Sequence, residues 1–147
     1  MFRFLEFDDL KDDEIKLVLK SRDKEEGFAP RYGFSIIHIE DNEEIGVVYF
    51  AVDTEPKRYL KRGHLSYGVS PAYAGNNYAV KACKLVKQVA LTHGFTDLYV
   101  GAVRDNIASI KTIEKLGAQP LVTVHDKEVL SYLESENIAM YVWNIAQ

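Results

Sequence analysis

One segment, VSPAYAGNNYA at residues 69–79, combines features that could bind an anion. A strand pattern ends there, the chain turns at Pro71, and a helical pattern begins near Asn76 or Asn77. The N-terminus of a helix offers unpaired N–H groups and the positive end of the helix dipole, both of which suit an anion. Gly75 lets the backbone approach a ligand closely. A capped helix start without a ligand explains the same residues, so the segment alone leaves both interpretations open.

The segment lacks the patterns of two common nucleotide-binding loops. It contains one Gly and no Lys followed by Ser or Thr, so it is not the loop that binds nucleoside triphosphates. It also lacks the G-x-G-x-x-G pattern of dinucleotide sites. If the segment binds an anion, it therefore does so without either of these two loop motifs.

Two residues shortly before this segment could take part in proton transfer. His64 begins the preceding strand, and a His with a pKa of about 6.5 is a usable base at neutral pH. An ordinary exposed His at a strand start is the alternative. Tyr67 lies on the same side of that strand as Val69, where it is either a core residue or a wall of the site.

Other reactive side chains have structural explanations. His38 lies in an apolar run and fits the interior of a sheet, and Cys83 lies on the apolar stripe of its helix, where it should be buried and inert. Tyr32 and Phe34 either border a substrate site or lie in a surface loop. The His and Cys residues show no metal-ligand spacing, so we expect no metal.

Composition and charge narrow the class of protein. The length of 147 residues favours one domain, residues 1–147, and 47% hydrophobic residues are enough for a core. A net charge of −4 argues against nucleic-acid binding, which needs a basic face. The single cysteine excludes an internal disulfide, and no apolar run approaches the ~20 residues of a membrane span. We therefore expect a soluble cytoplasmic protein that binds neither nucleic acid nor membrane.

Acidic residues cluster in the first third of the chain. They form either a solvated surface or a field that attracts cationic amines. The residues are Asp8, Asp9, Asp12, Asp13, Glu14, Glu25, Glu26, Glu43 and Glu44.

Hydrophobic periodicity predicts the elements that position these residues. Strands are predicted over Phe2–Phe7, Phe34–Glu40, Ile45–Val52, His64–Val69, Leu98–Val103, Gln119–Val124 and Ile138–Ile145. Helices are predicted from Asp12 or Asp13 to Ser21, from Asn76 or Asn77 to His93, and from Asn106 to Gly117, with one turn at most within Lys127–Glu136. This order predicts an α/β (α+β) fold with a mixed, mostly antiparallel sheet, helices on both faces and a central β-α-β unit.

The sequence from about Gly63 to Ala118 resembles the GNAT family of acetyl-CoA-dependent N-acetyltransferases. The resemblance rests on a strand, a Pro and Tyr-x-Gly-x-x-Tyr-Ala, followed by N-I-A-S at 106–109 and E-K-L-G at 114–117. The predicted strand order extends it over nearly the whole chain. Within the family, the helix at 109–117 is similar to the branch of ribosomal-protein N-terminal acetyltransferases.

The resemblance implies that the loop holds the pyrophosphate of CoA through backbone N–H groups. Ala74 stands where the family has Arg or Gln, and Asn77 stands where it has Gly. The resemblance further implies that the Val69 N–H stabilises the oxyanion and that Asn106 bonds the pantetheine arm, although plain helix capping also explains Asn106. The cofactor-binding residues expected on this basis are Val69, Ala74, Gly75, Asn76, Asn77, Tyr78, Ala79, Asn106 and Ser109.

The same resemblance leaves the acid–base chemistry incomplete. His64 occupies a position where related sequences often carry Glu, and Ile113 occupies the position of a Tyr that protonates the leaving thiolate. The candidate catalytic residues are therefore His64 and Tyr67. Another Tyr could replace the missing acid, or the thiolate could leave unaided because a thiol pKa of about 8.5 makes it a fair leaving group.

Three functions are compatible with this sequence. The first is an acetyl-CoA-dependent N-acetyltransferase that acts on the primary amine of a small molecule or a protein N-terminus. The second is a catalytically silent domain that binds acyl-CoA, and the third is an interaction domain without a cofactor. The acceptor pocket would come from the first helices, the Glu25–Tyr32 region and the 125–137 loop. The apolar strand Ala139–Ile145 could form a homodimer interface, and core packing explains it equally well.

Overall fold

Two antiparallel sheets form the framework of the computed structural model, which describes residues 2–7 and 9–146. Met1, Asp8 and Gln147 lie outside the described residues. The strands are β1 Ile15–Asp23, β2 Arg31–His38, β3 Glu43–Ala51, β4 Leu65–Val69, β5 Asp97–Val103, β6 Gln119–Pro120 and β7 Ile138–Asn144. The helices are α1 Pro56–Arg62, α2 Tyr78–Thr92, α3 Ile107–Lys115 and α4 Lys127–Ser135.

The sheets have the strand orders β1-β2-β3-β4 and β5-β7-β6. They meet where β4 begins, because the His64 N–H donates to Tyr99 O at 2.6 Å and the Tyr99 N–H donates to His64 Nδ1 at 3.0 Å. Beyond this junction β4 and β5 belong to separate sheets, which leaves a gap between them. The sequence predicted one mixed sheet, whereas the described strands form two sheets that are joined through the contacts of His64 with Tyr99.

Helices cover both faces of the three-stranded sheet. Leu98, Val100 and Trp143 contribute to the large core, while Met140 and Tyr99 belong to a second cluster on the opposite face. Helices α2 and α3 lie on the side of the large core, and α1 and α4 pack against each other and the second face. This arrangement confirms the predicted α/β fold class with helices on both faces and a central β4-α2-β5 unit.

The predicted helix from Asp12 or Asp13 to Ser21 is wrong, because these residues form most of β1. Ile15 and Leu17 are buried in alternation, and the strand pairs along its length with β2. Asp12 does accept hydrogen bonds from the N–H groups of the next residues, at 2.8 and 2.9 Å, but it starts a strand rather than a helix. Pairing with β2 outweighs the weak local preference.

The predicted strand at Phe2–Phe7 is also wrong. Its described residues make no ladder with a neighbouring strand, and the Leu5 N–H donates instead to Tyr32 Oη at 2.7 Å. Phe4 meets the Tyr32 ring edge-on at 5.1 Å, and Phe2 stacks on His93 at 5.4 Å. The alternating Phe residues therefore pack as aromatic anchors in an irregular segment.

Three further boundaries differ from the sequence prediction. The strand expected over Gln119–Val124 is only two residues long. Residues Lys127–Ser135 form a full helix rather than one turn, because Asp126 Oδ1 accepts from the N–H groups of Glu128 and Val129. The connection at 53–62 contains α1, which begins at Pro56.

Strand β7 lies between β5 and β6. Its residues Ala139, Tyr141 and Trp143 are buried in the core of the same chain. Core packing therefore explains its apolar composition, and a homodimer through this strand stays a prediction.

Stability should fall as the pH drops from about 6.5 toward 5. Burial lowers the pKa of both His64 and His93 below the ordinary value, so the unfolded chain binds protons that the folded chain does not. The contribution of each His to stability is complete above the pKa that it has in the unfolded chain. It is lost as the pH falls through the lower pKa that the same His has in the folded chain. For each His, the free energy of unfolding changes by at most about 1.4 kcal/mol per pH unit.

Urea unfolding at pH 7.5 and pH 5.5 measures this effect. His93→Gln should flatten the pH dependence, and His125→Gln is the control because His125 is exposed. An unchanged pH dependence in the His93 variant would contradict the assignment of that residue.

Candidate active site

A cleft with a volume of about 440 Å³ is enclosed by the end of β4, the loop that leads into α2 and the helix α3. It brings together eight of the nine residues that the sequence predicted to bind a cofactor, and Asn76 is the one that does not line it. The lining residues are Tyr67, Gly68, Val69, Tyr73, Ala74, Gly75, Asn77, Tyr78, Ala79, Asn106, Ala108, Ser109, Lys111, Thr112 and Lys115.

The backbone of β4 presents polar groups to this cleft. The Ser70 N–H donates to Ile45 O of the neighbouring strand at 2.7 Å. In an antiparallel ladder, hydrogen-bonded and non-hydrogen-bonded pairs alternate, and the register places Val69 and Tyr67 at non-hydrogen-bonded positions. Their N–H groups therefore point away from β3 and into the gap, where a ligand could accept from them.

The loop before α2 contains two residues with left-handed backbone conformation. Gly75 has φ +84° and Asn77 has φ +61°. Asn adopts this region more readily than most residues, which explains how it replaces the Gly of the family pattern. Asn76 lies between them and steadies the turn, since its Nδ2 donates to Tyr73 O at 3.2 Å and to Ala74 O at 3.3 Å.

Variants of Asn77 should separate backbone conformation from side-chain chemistry. Asn77→Gly should keep the stability of the parent within a few tenths of a kcal/mol, whereas Asn77→Val should lose about 1–2 kcal/mol because of its positive φ. Chemical denaturation measures both. Ala74→Val is the control in the same loop, because Ala74 is exposed and has φ −65°. Equal losses at 74 and 77 would contradict the conformational explanation.

Helix α3 supplies the positive charge that the loop lacks. Lys115 Nζ donates to Asn77 Oδ1 at 2.6 Å, across the cleft from α3 to the start of α2. Lys111 also lines the cleft and lies one helical turn earlier on the same face of α3. Both lysines therefore stand beside the N-terminus of α2, although Ala74 removes the cation of the family loop.

The sequence analysis did not single out these lysines. The sequence does contain a pattern that could have indicated them, since Lys115 belongs to the E-K-L-G segment and lies four residues after Lys111, on the same face of the predicted helix. Only the packing of α3 against α2 shows that this face of the helix points at the loop.

Asn106 caps α3 and leaves its amide group at the cleft. Asn106 Oδ1 accepts from the Ser109 N–H at 3.1 Å, which satisfies one of the free N–H groups of the first turn. Its Nδ2 is left for another partner, so capping and ligand binding are compatible in this residue.

Tyr67 is the ionisable side chain of β4 that lies in the cleft. Its Oη is 3.0 Å from Ser109 Oγ and donates to Ser109 O at 3.3 Å. Burial raises the pKa of Tyr67 to about 12, so the phenol keeps its proton at neutral pH. Such a group can donate a hydrogen bond to a negative charge that forms next to it.

Ile113 does not face the cleft. Its side chain is fully buried in the large core. The residues of α3 that line the cleft are Ala108, Ser109, Lys111, Thr112 and Lys115. The phenols that line the cleft are those of Tyr67, Tyr73 and Tyr78, and none of them belongs to α3.

His64 lies at the junction of the two sheets, outside the cleft lining. Its side chain is 3% exposed, its Nε2 is 2.9 Å from Asp53 O, and its Nδ1 accepts from the Tyr99 N–H. The Nδ1 acceptor role makes Nε2 the donor, so both ring nitrogens are occupied and the ring is neutral. This geometry presents no free nitrogen to a substrate.

A network of side-chain hydrogen bonds holds the loop before α2 against the turn between β2 and β3. His38 Nδ1 is 3.0 Å from Asp41 Oδ1, and His38 Nε2 is 3.1 Å from Tyr78 Oη. Tyr73 Oη donates to the second oxygen of Asp41 at 2.9 Å. His38 therefore positions the two tyrosines that frame the loop.

The acidic residues near the N-terminus are partly neutralised. Lys81 Nζ lies 3.5 Å from Asp12, 3.1 Å from Asp13 and 2.7 Å from Glu14. These contacts make the group a local ion-pair network at the side of α2. Asp8 lies outside the described residues.

Three further expectations concern cysteine, metal and membrane. Cys83 is completely buried, and burial raises the pKa of its thiol to about 12.

Among residues 2–7 and 9–146, no group of three or more His, Cys, Asp or Glu side chains could hold a metal ion. No helix in the described part of the chain is long and apolar enough to cross a membrane.

The family model of the acetyltransferase (GNAT) domain matches residues 3–119. This match covers most of the chain, and the chain therefore belongs to the GNAT acetyltransferase family. The resemblance seen in the sequence is confirmed. Among the curated proteins, none matches this sequence.

Solved structures share the fold at low sequence identity. The microcin C7 self-immunity acetyltransferase MccE, in complex with acetyl-CoA and AMP, has 18% identity and a TM-score of 0.58, with 78% of this chain and 61% of that chain covered. Ribosomal-protein-S5-alanine acetyltransferase from Vibrio fischeri has 14% identity and a TM-score of 0.57, with 80% and 63% covered. RimL, a ribosomal L7/L12 alpha-N-protein acetyltransferase, has 15% identity and a TM-score of 0.56, with 78% and 70% covered. The chain spans less than two thirds of the length of the first two.

Proposed function

We propose that this protein is an acetyl-CoA-dependent N-acetyltransferase, which transfers an acetyl group to the primary amine of a small molecule or a protein N-terminus. Residues 1–147 would form a single catalytic domain that needs no metal. The observation that carries the proposal is the cleft between β4, the start of α2 and α3, where outward-pointing N–H groups, a helix N-terminus and two lysines face one cavity. A pyrophosphate and a thioester need this combination of donors.

The residues present fit CoA. The N–H groups of 74–79 and the side chains of Lys111 and Lys115 would hold its phosphates, and Asn106 Nδ2 would bond the pantetheine arm. Acetyl-CoA supplies the acetyl group as a thioester, which an amine attacks directly while both substrates are bound. The Val69 N–H would stabilise the negative oxygen that develops during the attack.

Tyr67 would assist the departure of the thiolate as a hydrogen-bond donor. The amine nitrogen forms the new C–N bond, the C–S bond breaks, and the sulfur leaves as a thiolate that accepts a hydrogen bond from the phenol, which keeps its proton because its pKa lies above that of a thiol. Solvent takes up the proton that the amine loses. His64 would serve as a positioning residue that joins the sheets, because both of its ring nitrogens are occupied.

A second candidate function is a silent domain that binds acyl-CoA. Ile113 at the family Tyr position and the occupied nitrogens of His64 favour it. CoA binding without transfer to any amine would decide for this alternative.

Thermal shift with CoA and thiol release from acetyl-CoA with a panel of amines test the two functions together. A ligand that binds only the folded state raises apparent stability, so CoA should protect the protein. Ala108→Trp should abolish the shift by filling the cleft, since Ala108 is exposed and lines it. Ala72→Trp is the matched control, because Ala72 is exposed outside the cleft lining. No shift with CoA would overturn both functions.

A further inference from the structure

A second cavity of about 440 Å³ lies beside the N-terminal half of β4. The residues 63–66 line it, whereas the next three residues of the strand line the CoA cleft. We propose that this cavity is the acceptor site and that it selects primary amines that also carry a carboxylate, through Arg62. The inference rests on the proposed transferase function and deepens it by naming the substrate class.

The charges of this cavity are mostly paired. Arg31 pairs with Asp23 at 3.2 Å, and Arg58 makes bonds of 3.1 Å to both carboxylate oxygens of the buried Asp53. Arg62 is exposed at the rim and has no hydrogen-bond or ion-pair partner among residues 2–7 and 9–146. Its guanidinium is therefore available to a ligand, and it recognises a carboxylate through two parallel N–H donors.

One carboxylate at the same cavity is also unpaired. Glu25 lies in the connection between β1 and β2, is exposed, and has no side-chain partner in the described part of the chain. Arg62 directly precedes residues 63–66, which separate it from the CoA cleft by only a few residues. Because the amine must reach the thioester in that cleft, we assign the carboxylate of the substrate to Arg62, which lies shortly before β4, the strand that both cavities line. Glu25 can hold a positive group on a longer substrate.

The body of the cavity suits the nonpolar part of such a compound. Tyr49 and Ala51 lie on the sheet, Arg31 stacks over the Tyr49 ring at 4.4 Å, and Phe28 at the mouth is 58% exposed. The volume lies within the range of about 300–1,000 Å³ that is usual for small-molecule sites.

The two cavities reach neighbouring positions of β4, since Ser66 lines the second cavity and Gly68 lines the CoA cleft. Ser66 and Gly68 alternate with Tyr67, so they point to the opposite face of the strand. Nothing lies within 4 Å of the position that a Cβ of Gly68 would occupy. On this proposal, an amine from the second cavity would approach the thioester past Gly68.

The test compares matched pairs of amines that differ only in the carboxylate. L-Phenylalanine is paired with phenethylamine and L-alanine with ethylamine, and kcat/KM is measured by thiol release from acetyl-CoA. The parent protein should prefer the amino acid, and Arg62→Met should lower kcat/KM for the amino acid about tenfold while leaving the plain amine unchanged. Arg104→Met is the matched control, because Arg104 is exposed outside both cavities.

A second variant tests the cavity itself. Ala51→Trp should fill the cavity and lower transfer to both amines of a pair, with the thermal shift by CoA unchanged. Equal use of both amines by the parent protein, or equal effects of the Arg62 and Arg104 variants, would overturn the proposal and leave the transferase function standing. Transfer that persists in Ala51→Trp would overturn the location.

Failure of the transferase function gives a different result. If CoA produces no thermal shift, a shift with L-phenylalanine alone still reports on the second cavity. Loss of that shift in Arg62→Met but not in Arg104→Met would support the carboxylate site. Its absence in the parent protein would overturn it.

Discussion

Replacing Tyr67 by Phe is expected to lower kcat about 100-fold or more, with the affinity for CoA nearly unchanged. The Tyr67 phenol lies in the cleft beside Ser109, and its pKa of about 12 keeps it protonated across the neutral range. The substitution removes only the hydrogen-bond donor and preserves the ring that packs in the cleft. The rate of thiol release at saturating acetyl-CoA and amine measures kcat, and thermal shift measures CoA binding.

The pH dependence adds a second readout for Tyr67. Since the phenol loses its proton only near pH 12, its role as a hydrogen-bond donor causes no loss of activity below about pH 11. Tyr59→Phe is the control, because Tyr59 stacks on Tyr99 outside the cleft lining. A Tyr67 variant with unchanged kcat would show that the thiolate leaves unaided, and one that loses only CoA affinity would show a purely structural role.

Replacing Lys115 by Met should weaken CoA binding about tenfold, and the double replacement of Lys111 and Lys115 should weaken it by up to about a hundredfold. Each lysine contributes a charged donor beside the α2 N-terminus, where Ala74 contributes none. Isothermal titration with CoA measures the affinity. The difference between parent and double variant should shrink at high salt, because screening weakens interactions between exposed charges.

Lys84→Met is the matched control for the lysine variants. Lys84 is exposed on α2 and does not line the cleft. A loss of affinity equal to that of Lys115→Met would indicate a general charge effect rather than a phosphate site. Asn77→Gly gives a further comparison, because it frees Lys115 from its 2.6 Å contact. Tighter CoA binding in this variant would mean that the contact competes with the phosphate, and weaker binding would mean that the Asn77 side chain belongs to the site.

Much of the cleft beside α2 was predictable because its determinants are local. The turn at Pro71, the left-handed positions at Gly75 and Asn77, and the cap at Asn106 depend on residues a few positions apart. Glycine, asparagine and proline restrict or permit backbone conformations wherever they occur. The loop and both helix starts therefore follow from residue type and spacing.

The first strand shows where local reasoning fails. Ile15, Val18 and Leu19 have helical spacing, yet the segment pairs with β2 and leaves Val18 46% and Leu19 39% exposed. The free energy gained by completing the sheet depends on β2, which lies beyond the window that periodicity examines. The same limit applies to Phe2–Phe7, whose side chains anchor to Tyr32 and His93.

His64 illustrates the limit for catalytic residues. Its type and position suggested a base, but the chemistry of an imidazole depends on what its two nitrogens contact. Asp53 O and the Tyr99 N–H occupy them, and both partners come from distant parts of the chain.

The sequence by itself determined the fold class, the family and the backbone of the loop before α2, because these depend on periodicity, motif spacing and the conformational limits of single residues. Only the tertiary structure decided which side chains face that loop. It placed Lys115 against Asn77, Tyr67 beside Ser109 and Ile113 in the core. Such contacts join segments some 40 residues apart, and their formation depends on how the elements pack rather than on any local pattern.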